Sequence, residues 1–334
     1  ASGWPTVAKV TGEIPLWIDA NGAASIIKRR GTPRVQEQFR LISRAVRSGA
    51  GAMVLECMSI NPEYQQLESR FFRPHIYIIT NIRDDHQEEL GRHQKQQIDA
   101  ICSAIPPRTQ VICLDGIYRN AVETAVKKQG GSLTVANPEN IMPGKPGVFA
   151  ENIGLALSAC VAAGLEYAQA LQAILDEANR IELLAWKIPN SAQNLHFVNG
   201  FSVNDIQSAA TFLRNWRQHF SSLTAVYVLF NTRADRPLRS RTFAHWLAER
   251  NELAGVMVTG NHKKAMQHIL RKSGMEPAQI QVLSNNDCKN IVTCLERICP
   301  PNSLILGFGN IGGLGFEMVH SLKKAINTGV VHAD

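Results

Sequence analysis

Short apolar runs recur along this chain, and most are followed by a stretch of helical periodicity. Strand-like runs fall at Ala52–Glu56, Ile76–Thr80, Gln110–Leu114, Ala225–Phe230, Gly255–Thr259, Gln281–Leu283 and Ser303–Gly307. The apolar spacing elsewhere predicts helices over Arg34–Arg47, Arg92–Ile105, Tyr118–Lys128, Glu151–Ala163, Tyr167–Asn179, Ser208–His219, Ser240–Arg250, Lys263–Lys272, Asn286–Arg297 and Gly315–Ile326. Parallel strands need a crossover and a helix is the usual one, so this alternation predicts α/β layering with mostly parallel sheets. No internal repeat of fixed period competes with it.

At roughly 150 residues per domain, 334 residues suggest two domains. The break is expected near residues 180–192, where Trp186-Lys-Ile-Pro-Asn190 interrupts the pattern before a new strand at Leu195–Phe201. The expected domains are residues 1–182 and 193–334. Asn137–Gly147, rich in Pro and Gly, is read as a loop inside the first. With 45% hydrophobic and 19% charged residues the composition is that of a globular protein, which excludes collagen-like and wholly disordered chains. No run approaches the ~18 apolar residues of a membrane-spanning helix. The first residues lack the basic flank and apolar core of a secretion signal. Seven cysteines, unpaired in number and without zinc-type spacing, are expected to be reduced thiols in a cytosolic compartment. The net charge of +7 suits a polyanionic ligand without choosing among nucleotide, nucleic acid and acidic membrane.

Two strand ends carry chemistry. Val54-Leu-Glu-Cys-Met-Ser-Ile-Asn61 places Glu56 at the carboxyl end of a strand, where parallel sheets build ligand sites. Taken alone, that Glu is equally well a solvated strand end. Ile78-Ile-Thr-Asn-Ile-Arg-Asp-Asp-His86 gathers Asn81, Asp84, Asp85 and His86 after another strand. Such hard oxygen donors with one imidazole suit a divalent ion shared with phosphate oxygens. Arg233, Asp235 and Arg236 follow a third strand, and Arg matches phosphate or carboxylate with two prongs.

Together these clusters resemble the Mur ligase superfamily, and more closely the poly-γ-glutamate synthase ligase subunits, the CapB/PgsB family. The resemblance rests on Ala8-Lys-Val-Thr-Gly12, Leu55-Glu-Cys-Met58, Asn61-Pro-Glu-Tyr64, Thr80-Asn81, Asp85-His86 and Phe149-Ala-Glu-Asn-Ile-Gly-Leu-Ala-Leu157. It continues through Val198-Asn-Gly-Phe201, Asn204-Asp205, Phe230-Asn-Thr-Arg-Ala-Asp-Arg236 and Gly307-Phe-Gly-Asn-Ile-Gly312, in order along nearly the whole chain. It implies a Mur-ligase-like central P-loop-type ATPase domain followed by a Rossmann-like C-terminal domain. The implied activity is ATP-dependent amide bond formation through an acyl phosphate, joining glutamate units into poly-γ-glutamate for a capsule. It further implies ATP and Mg²⁺ as cofactors, with Glu56 and His86 on the metal, Asn152 on the adenine, and Asn81 and Asp85 on the nucleotide side. Asn204 and Asp205 would open the C-terminal domain and meet the nucleotide, while Arg233, Asp235 and Arg236 line its wall. The implied partners are glutamate or its polymer and a small hydrophobic membrane subunit (CapC/PgsC-like). A peripheral location at the inner face of the cell membrane follows, and a homo-oligomer is compatible.

Two departures stand beside the resemblance. No G-x-x-x-x-G-K-[ST] loop occurs, and in the family it lies just upstream of the position matching Ala1. Where some Mur ligases carry a carbamylated Lys after the metal His, this chain reads Ala100-Ile-Cys102. The alternative reading is therefore a non-catalytic fragment or degenerate paralogue that serves as a structural or regulatory subunit. Gly307-x-Gly309-x-x-Gly312 superficially fits a dinucleotide fingerprint. Too few residues follow to supply the second strand and its ribose-binding acid, so NAD is not expected. No nucleic-acid motif accompanies the charge, and nucleic acid is not an expected partner.

Overall fold

The computed structural model describes residues 3–11, 14–29, 31, 34–83, 85–141, 145–180, 185–188 and 193–329. Asp84, Gly12 and the Pro189-Asn190 end of the expected linker lie outside them. The chain divides into two units, residues 1–144 with 148–180 and residues 145–147 with 181–334. Lys145–Gly147, read from sequence as part of a loop internal to the first half, thus groups with the second unit.

The first unit runs β1 (Thr6–Val10), β2 (Leu16–Ile18), β3 (Ala24–Ile26), α1 (Gln36–Arg47), β4 (Ala52–Leu55), α2 (Pro62–Phe72), β5 (Ile76–Ile79), α3 (Gln87–Leu90), α4 (Gln94–Ser103), β6 (Gln110–Leu114), α5 (Arg119–Lys128), β7 (Ser132–Ala136), α6 (Ala150–Ala162) and α7 (Tyr167–Arg180). Its strands form two sheets, β3-β2-β1-β4 and β5-β6-β7. β1 and β4 are parallel, as are β5, β6 and β7, whereas β2 pairs antiparallel with both β1 and β3. On one face of β6, Val111 and Cys113 join Val122 and Val126 of α5; on the other, Ile112 and Leu114 meet Leu155 of α6. Those alternating apolar residues explain why β6 reads so clearly as a doubly covered strand.

Lys9 on β1 is 1% exposed. Its Nζ donates to Thr11 Oγ1 at 2.7 Å and lies 3.9 Å from Glu37, which Arg29 also engages through two hydrogen bonds. Burial holds the Lys9 pKa below its ordinary 10.5, although Glu37 pulls it back up. The unfolded chain therefore binds more protons between that lowered value and 10.5, and stability rises with pH across this interval. Lys9→Met should remove that rise and stabilise the protein by about 1 kcal/mol near neutral pH, since Glu37 keeps Arg29. Urea midpoints of both proteins at roughly pH 7 and pH 10 check this; a variant less stable at both would show that the ammonium contributes more than its desolvation costs.

The second unit contains β8 (Ala185–Lys187), β9 (His196–Asn199), α8 (Ile206–His219), β10 (Ala225–Thr232), α9 (Pro237–Ala248), β11 (Gly255–Gly260), α10 (Lys263–Lys272), β12 (Ile280–Val282), α11 (Asn285–Lys289), α12 (Ile291–Ile298), β13 (Ser303–Gly309) and α13 (Leu314–Gly329). One sheet orders them β12-β11-β10-β13-β9-β8, parallel except for β8 against β9. The chain steps in one direction from β10 to β12, then returns to place β13 on the other side of β10. Right-handed crossovers then put α8, α9 and α10 on one face and α11, α12 and α13 on the other. An aromatic cluster seals the first face, with Phe308 5.9 Å from both Phe212 and Trp246 and 6.1 Å from Phe243. Leu229, Met257, Leu295, Ile305 and Met318 fill the second. The single helix expected over Asn286–Arg297 is two. Asn290 caps the first and leads the second, and a Ser284–Asp287 capping box starts the pair.

Candidate active site

In the first unit, Glu56 leaves β4 with its N–H donating to the Lys9 carbonyl at 3.1 Å, and its carboxylate accepts the Thr11 N–H. Glu68, 3% exposed, holds the loop that follows. It accepts from Ser59 Oγ at 2.6 Å, from Gln38 Nε2 at 2.8 Å and from the Met58 N–H at 3.2 Å. Gln38 Nε2 also donates to the Glu56 carbonyl at 3.0 Å, so a buried network sets where the Glu56 backbone turns. The sequence reading missed Glu68, because its partners come from α1 and from the β4 loop. Between Glu56 and Met58, desolvation and the neighbouring Glu68 push the Cys57 thiol up to about 12.

After β5, buried Ile82 anchors the segment that carries Asn81, Asp85 and His86. His86 adopts a left-handed backbone (φ 52°) just before α3. Its ring lies between two carboxylates, 3.5 Å from Asp85 and 4.0 Å from Glu89. Arg83 donates to Glu151 at 2.6 Å and so ties this segment to the first turn of α6, where Asn152 is exposed. The structure thus brings the Asn81–His86 segment to the helix start that bears Asn152.

β4 and β5 are edge strands of different sheets, and Val54 and Ile78 on them are 60% and 38% exposed. Among the described residues, no three His, Cys, Asp or Glu side chains gather where a metal ion could sit. Mg²⁺ nevertheless keeps several waters and is held by one or two protein groups together with substrate phosphates. A carboxylate such as Glu56 and an imidazole such as His86, each just beyond the end of a strand, are groups of the kind such an ion takes.

In the second unit the crevice lies where strand order reverses, between the carboxyl ends of β10 and β13, the usual ligand position in an open parallel sheet. Asn231, 1% exposed, donates through Nδ2 to the carbonyls of Asn310 at 2.6 Å and Gly312 at 3.1 Å. The Asn310 N–H returns a bond to the Asn231 carbonyl at 3.1 Å. Arg239, from α9, donates to Asn204 Oδ1 at 2.8 Å and to Asn310 Oδ1 at 3.3 Å. Asn310 is 4% exposed, and its Nδ2 has no hydrogen-bond partner. An unsatisfied buried donor is costly, and at a strand-end crevice it invites an acceptor from a ligand.

Arg233 makes a two-pronged pair with Asp235 (2.9 and 2.6 Å) and lies over Gly312, where an added Cβ would come 2.6 Å from its Nη1. Arg236 leads into α9. Asp205 caps α8, accepting from Ser208 N at 2.8 Å and Ser208 Oγ at 2.6 Å. Arg239 and Asn310 were not singled out from sequence. Asn310 lies inside the Gly307–Gly312 motif and Arg239 three residues beyond Arg236, and only the pairing of β10 with β13 reveals that they meet.

Residues 186–325 match the family described as the poly-gamma-glutamate synthase CapB C-terminal domain. That match spans most of the second unit. The CapB-like chain is 24% identical to PGA synthase CapB of Bacillus subtilis over 96% of its own length and 85% of the relative's. It superposes on bifunctional folylpolyglutamate synthase/dihydrofolate synthase of Yersinia pestis, complexed with AMPPNP and Mn ion, with a TM-score of 0.64. That match has 11% identity and covers 98% of this chain and 83% of the other. A second neighbour is UDP-N-acetylmuramoylalanyl-D-glutamyl-2,6-diaminopimelate--D-alanyl-D-alanyl ligase of Acinetobacter baumannii, with a TM-score of 0.56 and 13% identity over 84% of this chain and 64% of that one. The CapB-like chain thus has the Mur-ligase and folylpolyglutamate-synthase fold, α/β with mostly parallel sheets, as its sequence led one to expect.

Proposed function

We propose that this chain is the ATP-dependent amide ligase of poly-γ-glutamate synthesis. The observation that carries the reading is the β10–β13 crevice of a CapB-type domain, where Arg239 bonds Asn310 Oδ1 and the buried Asn310 Nδ2 has no partner. Arg239 and Asn310 hold a carboxylate of the glutamate that donates the amine, which orients its nitrogen for attack. Arg236 supplies further positive charge beside it, while Arg233 is kept in one geometry by Asp235, which offsets its charge. In the first unit Glu56 and His86 would be the protein ligands of Mg²⁺, with Asn81 and Asp85 on the nucleotide side, and Asn152 would serve the adenine. Magnesium, when bound, neutralises phosphate charge. The growing chain's carboxylate takes the γ-phosphoryl group of ATP as ADP leaves, and the amine attacks the acyl carbon, so that the amide forms as phosphate departs and the nitrogen gives up a proton. The catalytic contribution lies in positioning and charge neutralisation, as in other phosphoryl transfers. A small hydrophobic membrane subunit and residence at the inner membrane face belong to the same reading.

A second reading, a subunit that lacks catalysis on its own, draws on β4 and β5, which among the described residues are sheet edges. Isothermal titration of Mg·ATP separates the two. The ligase reading expects micromolar binding by this chain, with ADP release stimulated by glutamate and poly-γ-glutamate. Absence of binding, restored when a strand–phosphate-loop–helix segment is supplied, would favour the second.

A further inference from the structure

The net positive charge of this chain comes from one unit. Residues 145–147 and 181–334 hold 17 Lys and Arg against 10 Asp and Glu, while the first unit holds 18 of each. Within the second unit the excess gathers on one layer. The outward side of α8 carries Arg214 and Arg217, α9 carries Arg241, and α10 carries Lys264, Arg271 and Lys272, all exposed. The inward sides are apolar, with Phe212 and Trp216 on α8, Phe243 and Leu247 on α9, and Met266 and Leu270 on α10. The acids nearby are few. Asp205 caps α8, Asp235 pairs with Arg233, Glu249 lies 3.7 Å from Arg250 with Glu252 after it, and exposed Glu276 follows α10. None of the large apolar side chains exposed among the described residues lies on α8, α9 or α10.

We propose that the α8–α9–α10 face binds a linear polycarboxylate, and that its occupant is the poly-γ-glutamate product. The identity of that polymer rests on the ligase reading above; the presence of a polyanion surface does not. Charge complementarity chooses the occupant. A soluble chain with one carboxylate per residue displaces condensed counterions as it lies across an array of spaced cations. A membrane-surface helix would also need apolar side chains to enter the lipid boundary, and this face has none. A product held on the same domain that receives the next glutamate stays close to its growing end, an effective-concentration effect that requires no new contact in the crevice.

Fluorescence anisotropy of a labelled poly-γ-glutamate against the full chain, without ATP, tests this at about 50 and 200 mM salt. The wild type should bind and lose at least tenfold in affinity across that range. Combined R217E, R241E, K264E and R271E should weaken binding tenfold or more and flatten the salt dependence. E249K with E252K should tighten binding, a gain that misfolding does not produce. K127E with K128E on α5 of the first unit should change nothing. The proposal is overturned if reversal on α8–α10 leaves the affinity unchanged, or if anionic phosphatidylglycerol vesicles bind this face while the polymer does not. Charge-dependent polymer binding with no Mg·ATP turnover would support the surface while counting against the ligase reading.

Discussion

Gly309→Val should destabilise the second unit by about 2–6 kcal/mol, against about 1–3 kcal/mol for Gly313→Val four residues on. Both glycines have a left-handed backbone, with φ of +100° and +65°, so any side chain strains either position. The difference lies in what surrounds them. A Cβ at Gly309 would run into the Asn231 carbonyl oxygen and approach the Phe230 ring at 2.9 Å, whereas one at Gly313 meets nothing within 4 Å. Gly309 closes β13 at the point where it pairs with Asn231 of β10, so relief would require the two central strands to part. Native-state hydrogen exchange of β10 and β13 amides reads the effect directly, because those amides report the opening of the unit's centre. Equal protection in the two variants would show that the β10–β13 junction yields where the geometry says it cannot. The substitution also tests the link between fold and crevice, since the strand junction that Gly309 permits presents Asn310.

The layered α/β class was legible because burial on both faces leaves its mark on individual strands. β6 and β10 read as continuous apolar runs, and their bounds fall within two residues of expectation. Elements without that signature were missed. β2 and β3 have three residues each, and β3 is fully exposed, so no alternation betrays them. α2 carried its signal openly, Asn61 capping Glu63 and Tyr64 with Pro62 in the first turn, but Asn61-Pro-Glu-Tyr64 was taken only as a family motif. Similar physics divides the site residues. Glu56, Asn81 and Arg233 stand just beyond strand ends, a position that sequence order reveals. Arg239 and Asn310 are 71 residues apart, and nothing local to either foretells their bond. Asp205 shows the opposite limit, since its carboxylate is engaged by Ser208 as a helix cap. A polar residue beside a motif often serves the backbone before any ligand.

Arg239→Met should raise the KM for the carboxylate-bearing acceptor by about 30- to 1000-fold, the loss expected when one partner of a desolvated charge-assisted bond is truncated. Methionine keeps the length and apolar stem of the side chain while removing its donors, which leaves Asn204 Oδ1 and Asn310 Oδ1 without the bonds of 2.8 and 3.3 Å that Arg239 supplies. The Asn310 side chain then loses the partner that sets its orientation, and with it the direction of its Nδ2 donor. Arg233→Met should cost less, because Asp235 already neutralises that guanidinium and both groups are substantially exposed. Steady-state rates with varied glutamate at saturating Mg·ATP, together with thermal melts, separate the outcomes. A rise confined to the acceptor KM with an unchanged melting temperature places Arg239 on the acceptor. A rise in the ATP KM alone would move Arg239 to the nucleotide side and leave the β10–β13 crevice without its assigned ligand. Arg239→Lys should rescue in part, since both bonds leave the single nitrogen Nη1 and an ammonium also carries several donors, though on a shorter stem and without the planar fork.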